Sequence, residues 1–472
     1  MKFFRKAIVL VAVLACAGFA YWYFIVKKGK EKEEKEQKEA LLFDETEKDV
    51  VKITINEENE PEIVIERVIE EEENDYRWVI TTPVTTRGDG NVIDAILATI
   101  KGGKREEVVW DTLEKEEEYR LDRPRHSLRF YYEGDSTEYG IDFGKENLDR
   151  TKVFAKVVGN EKIFSIPIGF RAEVIKSLFD LRDKMLAYFK AEDVVKISFL
   201  SSGGAFVLER EGEEWYLMPE RVKASSIRVE IYTGNLSYGH FVEVTEEKGH
   251  DLEKYGLDTP HLIVNFKLRD GSNYMFLVGD SLTSGSSDYY YATRSTDGMV
   301  FQVKQDLVSG LLKTAFEMRD RRIFDFQDSE VTALTMKALT STGRGSEKSG
   351  TEFHMVREED EWRFEDSGEK IEREYKVDSI LRGIKNAEYE IIEPVKRGEG
   401  SWEKSGIETP RYEVSFTFNS GRPKLTVQLT EADEETSMLW LTPDNGDTVY
   451  YTSGYFMSNF PREREDLLEW EQ

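Results

Sequence analysis

Alternating apolar and polar residues recur at three places along the chain. They predict half-buried strands, because successive side chains of a strand point to opposite faces of its sheet. The opening strands of the three places are predicted at 50–55, 194–199 and 331–336. A second alternating stretch follows each of them and contains a lone tryptophan, Trp78, Trp215 or Trp362. The shared order of these stretches indicates an internal repeat.

A helical pattern follows each tryptophan. Its apolar residues are spaced i, i+3 and i+7, so they lie on one face of a helix. They are Ile93, Ile96 and Ile100 in the first copy, Val229, Tyr232 and Leu236 in the second, and Val377, Ile380 and Ile384 in the third. The segment Gly88-Asp89-Gly90 directly precedes the first helix and predicts an N-cap with a turn.

A proline turn, further strands and a closing helix complete the pattern. The turns lie at 119–124, 255–260 and 405–410, and closing helices are predicted at 179–184 and 316–321. The tryptophan, helix, turn and closing helix of the first two copies are offset by 136 or 137 residues, and the landmarks of the last two copies by 137 to 150. The increase falls in the Gly- and Ser-rich stretch 341–350, which predicts a longer hairpin loop.

These patterns predict an α+β fold with three tandem copies of a mainly antiparallel sheet-plus-helix unit after one N-terminal transmembrane helix. The predicted boundaries are a cytoplasmic tail 1–6, a transmembrane helix 7–26, a charged stalk 27–40, and repeat copies 41–186, 187–323 and 324–472.

The turn Tyr255-Gly256-Leu257-Asp258-Thr259-Pro260, taken with the lone tryptophan, the helix and the closing helix, resembles the bacterial domain-of-unknown-function 4340 family. The resemblance covers about residues 41–472, although Arg120 replaces the glycine in the first copy and Glu408 replaces the aspartate in the third. Members are often encoded beside ABC transporters of the gliding-motility type. The resemblance therefore implies an extracytoplasmic accessory role, and it carries no catalytic residues over to this chain.

The apolar run 7–26 is 20 residues long, which as a helix matches the thickness of a bilayer core. An aromatic cluster at 21–24 ends it, as expected at a membrane interface. The basic residues Lys2, Arg5 and Lys6 predict an N-terminus inside and the bulk of the chain outside the cytoplasmic (inner) membrane, on the periplasmic side.

Two features of this N-terminal region have an alternative interpretation. Val13-Leu14-Ala15-Cys16 resembles a bacterial lipoprotein box, but the apolar run continues for ten residues past Cys16, which favours an uncleaved anchor. The stalk 27–40 alternates Lys and Glu, which predicts a solvated helix, with a flexible charged linker as the alternative.

Charge narrows the class of partner. The chain of 472 residues has 93 acidic and 65 basic side chains and a net charge of -28. Residues 1–40 carry a net charge of +4, so the other 432 carry -32. This balance argues against a nucleic-acid partner, because phosphate binding needs a local excess of Lys and Arg. The chain contains a single Cys, at position 16, which excludes disulfide and thiolate chemistry from the part beyond the anchor.

Candidate chemical sites are few, and each has a structural interpretation that we favour. His250 and His261 flank the second turn with Asp251 and Asp258 between them, and a solvated turn is expected there in preference to a metal site. The stretch 284–287 is a serine-rich loop, and 444–447 predicts a hairpin turn in preference to a calcium loop. We therefore predict no catalytic, cofactor-binding or metal-binding residues and no cofactor.

The repeated pairs Arg182-Asp183 and Arg319-Asp320 predict a salt bridge between copies or a helix C-cap, with partner binding as the alternative. The leading hypothesis is a non-enzymatic, membrane-anchored extracytoplasmic binding or scaffold protein. Its expected partners are its own membrane and the membrane subunits of an ABC transporter. The alternatives are a cell-envelope hydrolase that uses carboxylates and a passive structural spacer.

Overall fold

The structure is a computed structural model. It describes residues 15, 18, 19, 21–23, 41–43, 48–70, 75–110, 112–284, 287–339, 351–359, 361–391, 394–400, 402–419, 421–443 and 446–468. The predicted tail 1–6, the stalk 27–40, Cys16 and the loop 341–350 lie outside the described residues, as does most of the predicted transmembrane helix 7–26. No helix within the described ranges is both long and apolar enough to span a membrane.

The described residues form an α+β fold with three mostly antiparallel sheets, which confirms the predicted class. The strands of the first sheet are β1 Val50–Glu57, β2 Ile63–Glu70, β3 Asp75–Thr82, β4 Thr86–Arg87, β5 Glu107–Trp110, β6 His126–Tyr132, β7 Tyr139–Glu146, β8 Lys152–Val157 and β9 Ile163–Pro167. Its helices are α1 Gly90–Gly102, α2 Glu116–Tyr119, α3 Ile168–Val174 and α4 Leu178–Leu181. The strands lie in the order β4-β3-β2-β1-β6-β7-β8-β9-β5.

The same elements recur further along the chain. The next strands are β10 Val194–Ser201, β11 Gly204–Glu211, β12 Glu214–Met218, β13 Val222–Ala224, β14 Glu243–Glu246, β15 Leu262–Leu268, β16 Asn273–Ser284, β17 Ser287–Arg294 and β18 Val300–Lys304. The helices of this part are α5 Ser226–Ser237, α6 Gln305–Leu311 and α7 Ala315–Met318. Strands β10 to β13 pair consecutively, and the others run β15-β16-β17-β18-β14.

The last sheet belongs to the third copy. Its strands are β19 Val331–Ala338, β20 Glu352–Glu358, β21 Glu361–Phe364, β22 Val395–Lys396, β23 Tyr412–Phe418, β24 Leu425–Leu429, β25 Met438–Pro443 and β26 Thr448–Ser453. They lie in the order β21-β20-β19-β23-β24-β25-β26-β22, with helices α8 Glu374–Lys385 and α9 Glu465–Leu468. This is the order of the first sheet without its outermost strand.

The chain divides into two compact units that do not coincide with the predicted copies. One comprises Met1–Asp193 with Gly234–Leu311, and the other comprises Val194–Thr233 with Leu312–Gln472. The first contains the first sheet and β14 to β18, and the second contains β10 to β13 and the last sheet. The predicted boundaries of the three copies remain a prediction.

The three main helices, α1, α5 and α8, bury the face that the sequence predicts. All nine of the spaced apolar residues are buried, at 0 or 1 % exposure. In the first copy Ile93, Ile96 and Ile100 share a core with Trp78 and the inner face of the sheet. Asp89 is the predicted N-cap of α1, and its carboxylate accepts hydrogen bonds from the backbone N–H groups of Asn91 and Val92, at 3.0 and 3.3 Å.

The opening strands depart from strict alternation in one shared way. Their first, fourth and sixth residues are buried in all three copies. In β1 the register shifts between Val50 and Lys52, and in β19 it shifts between Val331 and Ala333. A bulge adds one residue to a strand, so the first residue turns to the same face as the fourth. Simple alternation over 50–55 therefore mispredicts the direction of Val50.

The proline turns share one backbone conformation. Arg120, Gly256 and Gly406 all lie in the left-handed region, with φ of 55°, 65° and 70°. Each of them ends a short helix or 3-10 helix, and the residue that follows it, Leu121 in the first copy, is buried in each case. The turn thus reverses the chain and seats one apolar side chain in the core.

Candidate functional site

A short segment precedes each opening strand, and we define these three leading segments as residues 41–43, 185–187 and 322–324. The middle residue of each segment donates a backbone hydrogen bond to the chain just after the next main helix. These bonds join Leu42 to Gly103 at 2.9 Å, Leu186 to Gly239 at 2.8 Å, and Ile323 to Ala387 at 3.0 Å. The same segments form isolated β-bridges at Leu41–Lys104, Met185–His240 and Arg322–Glu388. Each leading segment is therefore tied to the end of the next main helix.

The closing helices are tied to the other end of the main helices. The carbonyl oxygen of Leu181, Met318 or Leu467 accepts a hydrogen bond from the residue at the start of the main helix, at 2.8 to 3.0 Å. In the first two copies the chain then runs directly into the next leading segment. We call these continuous stretches, 181–187 and 318–324, the junctions. Each junction is hydrogen-bonded to the copy it leaves and to the copy it enters.

The repeated Arg-Asp pairs lie in these junctions. Arg182 and Arg319 are the C-cap residues of α4 and α7, as predicted. Arg182 is also 2 % exposed and forms an ion pair with Glu247 of the second copy. The first pair therefore combines the two structural roles that its sequence predicted, a C-cap and a salt bridge between copies.

Side chains of the second copy also bind the first junction. The guanidinium of Arg294 donates to the carbonyl oxygens of Met185 and Leu186, at 2.6 and 2.9 Å. The hydroxyl of Tyr274 donates to the same Leu186 carbonyl at 2.6 Å, and burial raises the pKa of this phenol. Since the donors are buried, these bonds are shielded from competing water.

Charged groups hold the second junction. Arg321 pairs with Glu388 at 3.3 Å and with Glu390 at 2.5 Å. Arg228 pairs with Glu388 as well and donates to the carbonyl oxygen of Arg319 at 3.0 Å. Two arginines therefore share one carboxylate at the point where the junction meets the third copy, and such a network is more directional than a single exposed pair.

Asp320 is the acidic member of the second repeated pair. Its carboxylate accepts two hydrogen bonds from the guanidinium of Arg322, at 2.8 and 2.6 Å. These charge-assisted bonds hold the pKa of Asp320 below its usual value of 3.8. The backbone N–H of Asp320 donates to the carbonyl oxygen of Lys223 at 2.9 Å, so this residue also fastens the junction to the second copy.

The third copy contains an open groove of about 750 Å³ beside its main helix. In the first two copies a seven-residue helix follows the last strand, α3 or α6. In the third copy this position is occupied by a 3-10 turn, Tyr455–Asn459, which is shorter. Phe456 packs so closely against α8 that a Cβ at Gly383 would lie 2.3 Å from its ring. The short turn thus covers part of the helix and leaves the groove beside it.

The groove is lined by polar groups and two accessible rings. Tyr375 and Tyr455 are 52 % and 73 % exposed. Asp378 accepts a hydrogen bond from the indole N–H of Trp362 at 3.0 Å and lies 3.7 Å from Arg382. The other lining residues are Ser379, Gly383, Asn386, Ala387, Glu388, Glu390, Thr452, Ser453 and Phe456.

The carboxylates of the groove are already engaged. Asp378 bonds to Trp362 and Arg382, and Glu388 and Glu390 are paired with the arginines of the second junction. The groove therefore combines paired carboxylates with exposed rings.

The structure shows the contacts of the histidines and of the serine-rich loop that the sequence analysis considered. The imidazole of His261 lies 3.4 Å from the carboxylate of Asp280, while His250 donates its backbone N–H to Glu246 at 3.4 Å. Over the described ranges, no group of three or more His, Cys, Asp or Glu side chains could hold a metal ion. Ser284 and Ser287 pair across the β16–β17 hairpin, while 285 and 286 lie outside the described residues.

The predicted hairpin at 444–447 joins β25 and β26, which pair antiparallel, while 444 and 445 lie outside the described residues. The leading segments and the groove are features that the sequence reasoning missed. The segments have a signal, because Leu42, Leu186 and Ile323 each lie eight residues before an opening strand. The groove has none, since it results from the difference between a helix and a shorter turn.

Comparison with known families bears on the junctions. Residues 78–231 and 219–392 match the family described as Domain of unknown function (DUF4340). The chain belongs to the domain-of-unknown-function 4340 family. The first region runs from Trp78 into α5, and the second runs from the residue after β12 to beyond α8, so each contains one complete junction.

Comparisons of this 4340-family chain with curated proteins and with solved structures found no match.

Proposed function

We propose that this member of the 4340 family is a membrane-anchored extracytoplasmic binding and scaffold protein that serves as an accessory component of an ABC-type transporter. The observation that carries the proposal is the pair of junctions. Backbone hydrogen bonds fasten each junction on both sides, and the side chains of Arg182, Arg294, Arg321 and Arg228 reinforce them. A scaffold depends on such links, whereas a hydrolase depends on one reactive cleft.

The proposal includes the arrangement of the chain as three tandem copies, 41–186, 187–323 and 324–472. Its support is the recurring order of strands, the three leading segments and the shared left-handed turn. Repeats that bury surface against their neighbours gain stability from each added interface.

The proposal also includes the anchor at 7–26, with the N-terminus inside and the remaining chain on the periplasmic side of the inner membrane. The described residues of this segment, 15, 18, 19 and 21–23, are helical. Phe19, Tyr21 and Trp22 are 64 %, 62 % and 51 % exposed, as expected of rings that sit at the level of lipid headgroups. The basic residues before position 7 support the orientation.

The partner class, the membrane subunits of an ABC transporter, rests on the family resemblance. The acidic surface supports the placement of the chain away from anionic lipid, because the 432 residues after the stalk carry a net charge of -32. A passive spacer would share the anchor and the junctions, but it would have no use for a groove lined by exposed rings.

Affinity purification of the full chain from gently solubilised membranes of its host tests the proposal. The expected result is recovery of ABC transporter membrane subunits in a fixed ratio to the bait. A variant with Leu148→Asp, changed at a fully exposed side chain outside the junctions and the groove, serves as the matched control and should recover the same partners. Recovery of the chain alone, in repeated preparations, would overturn the proposal.

A further inference from the structure

The groove of the third copy is a departure from the repeat, and a position at which one copy differs is where a specific role can arise. The exposed face of the main helix carries different residues in each copy. On three successive turns α1 carries Asn91, Ala95 and Ala98, and at the equivalent positions α8 carries Tyr375, Ser379 and Arg382. The third copy thus combines a shorter covering turn with larger polar and aromatic side chains on the helix beneath it.

The charges in the groove balance within the structure. Arg382 lies 3.2 Å from Asp328 and 3.7 Å from Asp378, while Glu388 and Glu390 are paired with Arg321. No charge of either sign is left over among the groove residues. A charged ligand would have to compete with these existing ion pairs, whereas a neutral ligand leaves them intact.

Neutral groups also line the groove. The phenol ring of Tyr455 is 73 % exposed, and the ring of Tyr375 lines the same groove. The side chain of Asn386 is exposed at the C-cap of α8, and its amide offers both a donor and an acceptor. Ser453 adds a hydroxyl group, whereas the hydroxyl of Ser379 already accepts from the side-chain amide of Asn459 at 2.9 Å. Rings with an apolar face, combined with planar and hydroxyl hydrogen-bonding groups, match a ligand that has C–H faces and many hydroxyls.

We infer that this groove binds a neutral, hydroxyl-rich glycan chain. The volume of about 750 Å³ lies within the range of small-ligand sites and leaves room for a few sugar rings. An extended peptide is the weaker fit, because strand addition needs a free sheet edge. At the groove the carbonyl oxygen of Tyr451 already accepts from the N–H of Glu390, at 2.8 Å. The inference rests on the proposed function in taking the groove as a binding site outside the membrane.

Isothermal titration of the full chain in mild detergent tests the inference, with cellohexaose and chitohexaose as probes. Saturable binding of one of the two oligosaccharides is expected. Tyr455→Ala should weaken that binding about tenfold, because it removes one stacking ring and leaves the packing intact. Tyr238→Ala, at a tyrosine 79 % exposed outside the groove, is the matched control and should bind like the parent chain.

A second variant guards against loss of folding. Asn386→Ala removes one exposed hydrogen-bonding side chain and should also weaken binding, with an unchanged unfolding temperature. The inference is overturned if neither oligosaccharide binds saturably, or if Tyr455→Ala binds as tightly as the parent. Binding of a proline-rich decapeptide in place of the glycans would identify a peptide groove and would equally overturn it. Recovery of transporter subunits is measured in a separate experiment, so failure of glycan binding and failure of the scaffold role can be distinguished.

Discussion

The left-handed position of the proline turn allows a comparison within one chain. The first copy has Arg120 at this position, with φ of 55°, whereas the other copies have Gly256 and Gly406. A residue with a Cβ pays about 1–2 kcal/mol in this conformation, while glycine adds about 0.4–1 kcal/mol of freedom to the unfolded chain. We therefore expect Arg120→Gly to stabilise the first turn by about 0.5–1 kcal/mol.

The structure supports a stabilising effect of Arg120→Gly, because the side chain of Arg120 is exposed and the residue contributes to the turn through its backbone N–H. That N–H donates to the carbonyl oxygen of Glu117 at 3.1 Å, and glycine would keep the bond. The reciprocal changes should destabilise their turns. A Cβ at Gly406 would have open space, with Thr430 4.0 Å away, so Gly406→Ala should cost about 0.5–1 kcal/mol. A Cβ at Gly256 would lie 2.5 Å from the carboxylate of Asp280, so Gly256→Ala should cost more.

Hydrogen exchange followed by mass spectrometry is the assay, because it reports the opening free energy of each turn separately in a protein of several units. Amides of 116–132 should exchange about twofold to fivefold more slowly in Arg120→Gly. Amides around 406 and 256 should exchange faster in the alanine variants, and the effect should be larger at 256. The parent chain and the two unmutated turns in each variant serve as controls. Faster exchange at 116–132 in Arg120→Gly would refute the reasoning that the three turns are equivalent.

Three further predictions concern the junction, the groove and the anchor. Arg322 lowers the pKa of Asp320 below 3.8, so this ion pair should stabilise the second junction above about pH 4 and lose its effect as the pH falls further. Hydrogen exchange of residues 316–325 against pH measures this dependence, and Asp320→Asn should remove it. Gly383→Ala places a Cβ 2.3 Å from the ring of Phe456 and should destabilise the third copy by about 1–3 kcal/mol. Hydrogen exchange of residues 455–459 measures this effect, and unchanged exchange would contradict the packing. Cys16→Ser should stay in the membrane fraction, and its release into the soluble fraction would favour the lipoprotein alternative.

The repeating elements could be predicted from the sequence because their signals are local. Spacing of i, i+3 and i+7 identified the buried face of each main helix, and alternation identified the opening strands. The bulge that turns Val50 inward was not visible, since a register shift depends on the partner strand. The Arg-Asp pairs were recognised as structural because they recur, although Glu247, which binds Arg182, and Arg228, which binds the carbonyl oxygen of Arg319, lie 65 and 91 residues away in the chain.

The leading segments and the groove depend on contacts that no local pattern encodes. Leu42 bonds to Gly103, which lies 61 residues further along the chain, and its only signal is the constant distance of eight residues to the next strand. The groove depends on the length of the turn that begins at Tyr455, where the other copies have a helix. Which side chains line the groove depends on tertiary packing, so neither the rings nor the paired carboxylates could be assigned to one site from the sequence.

Labelling of an introduced cysteine in intact cells tests the central claim most directly, because Cys16 is the single cysteine of the chain. Leu148 lies between β7 and β8 and its side chain is fully exposed, at 107 %. In a Cys16→Ser background, Leu148→Cys should react with a membrane-impermeant maleimide once the outer barrier is permeabilised, and the protein should stay in the membrane fraction. Labelling only after lysis of the inner membrane, or recovery of the protein in the soluble fraction, would contradict an anchored extracytoplasmic scaffold.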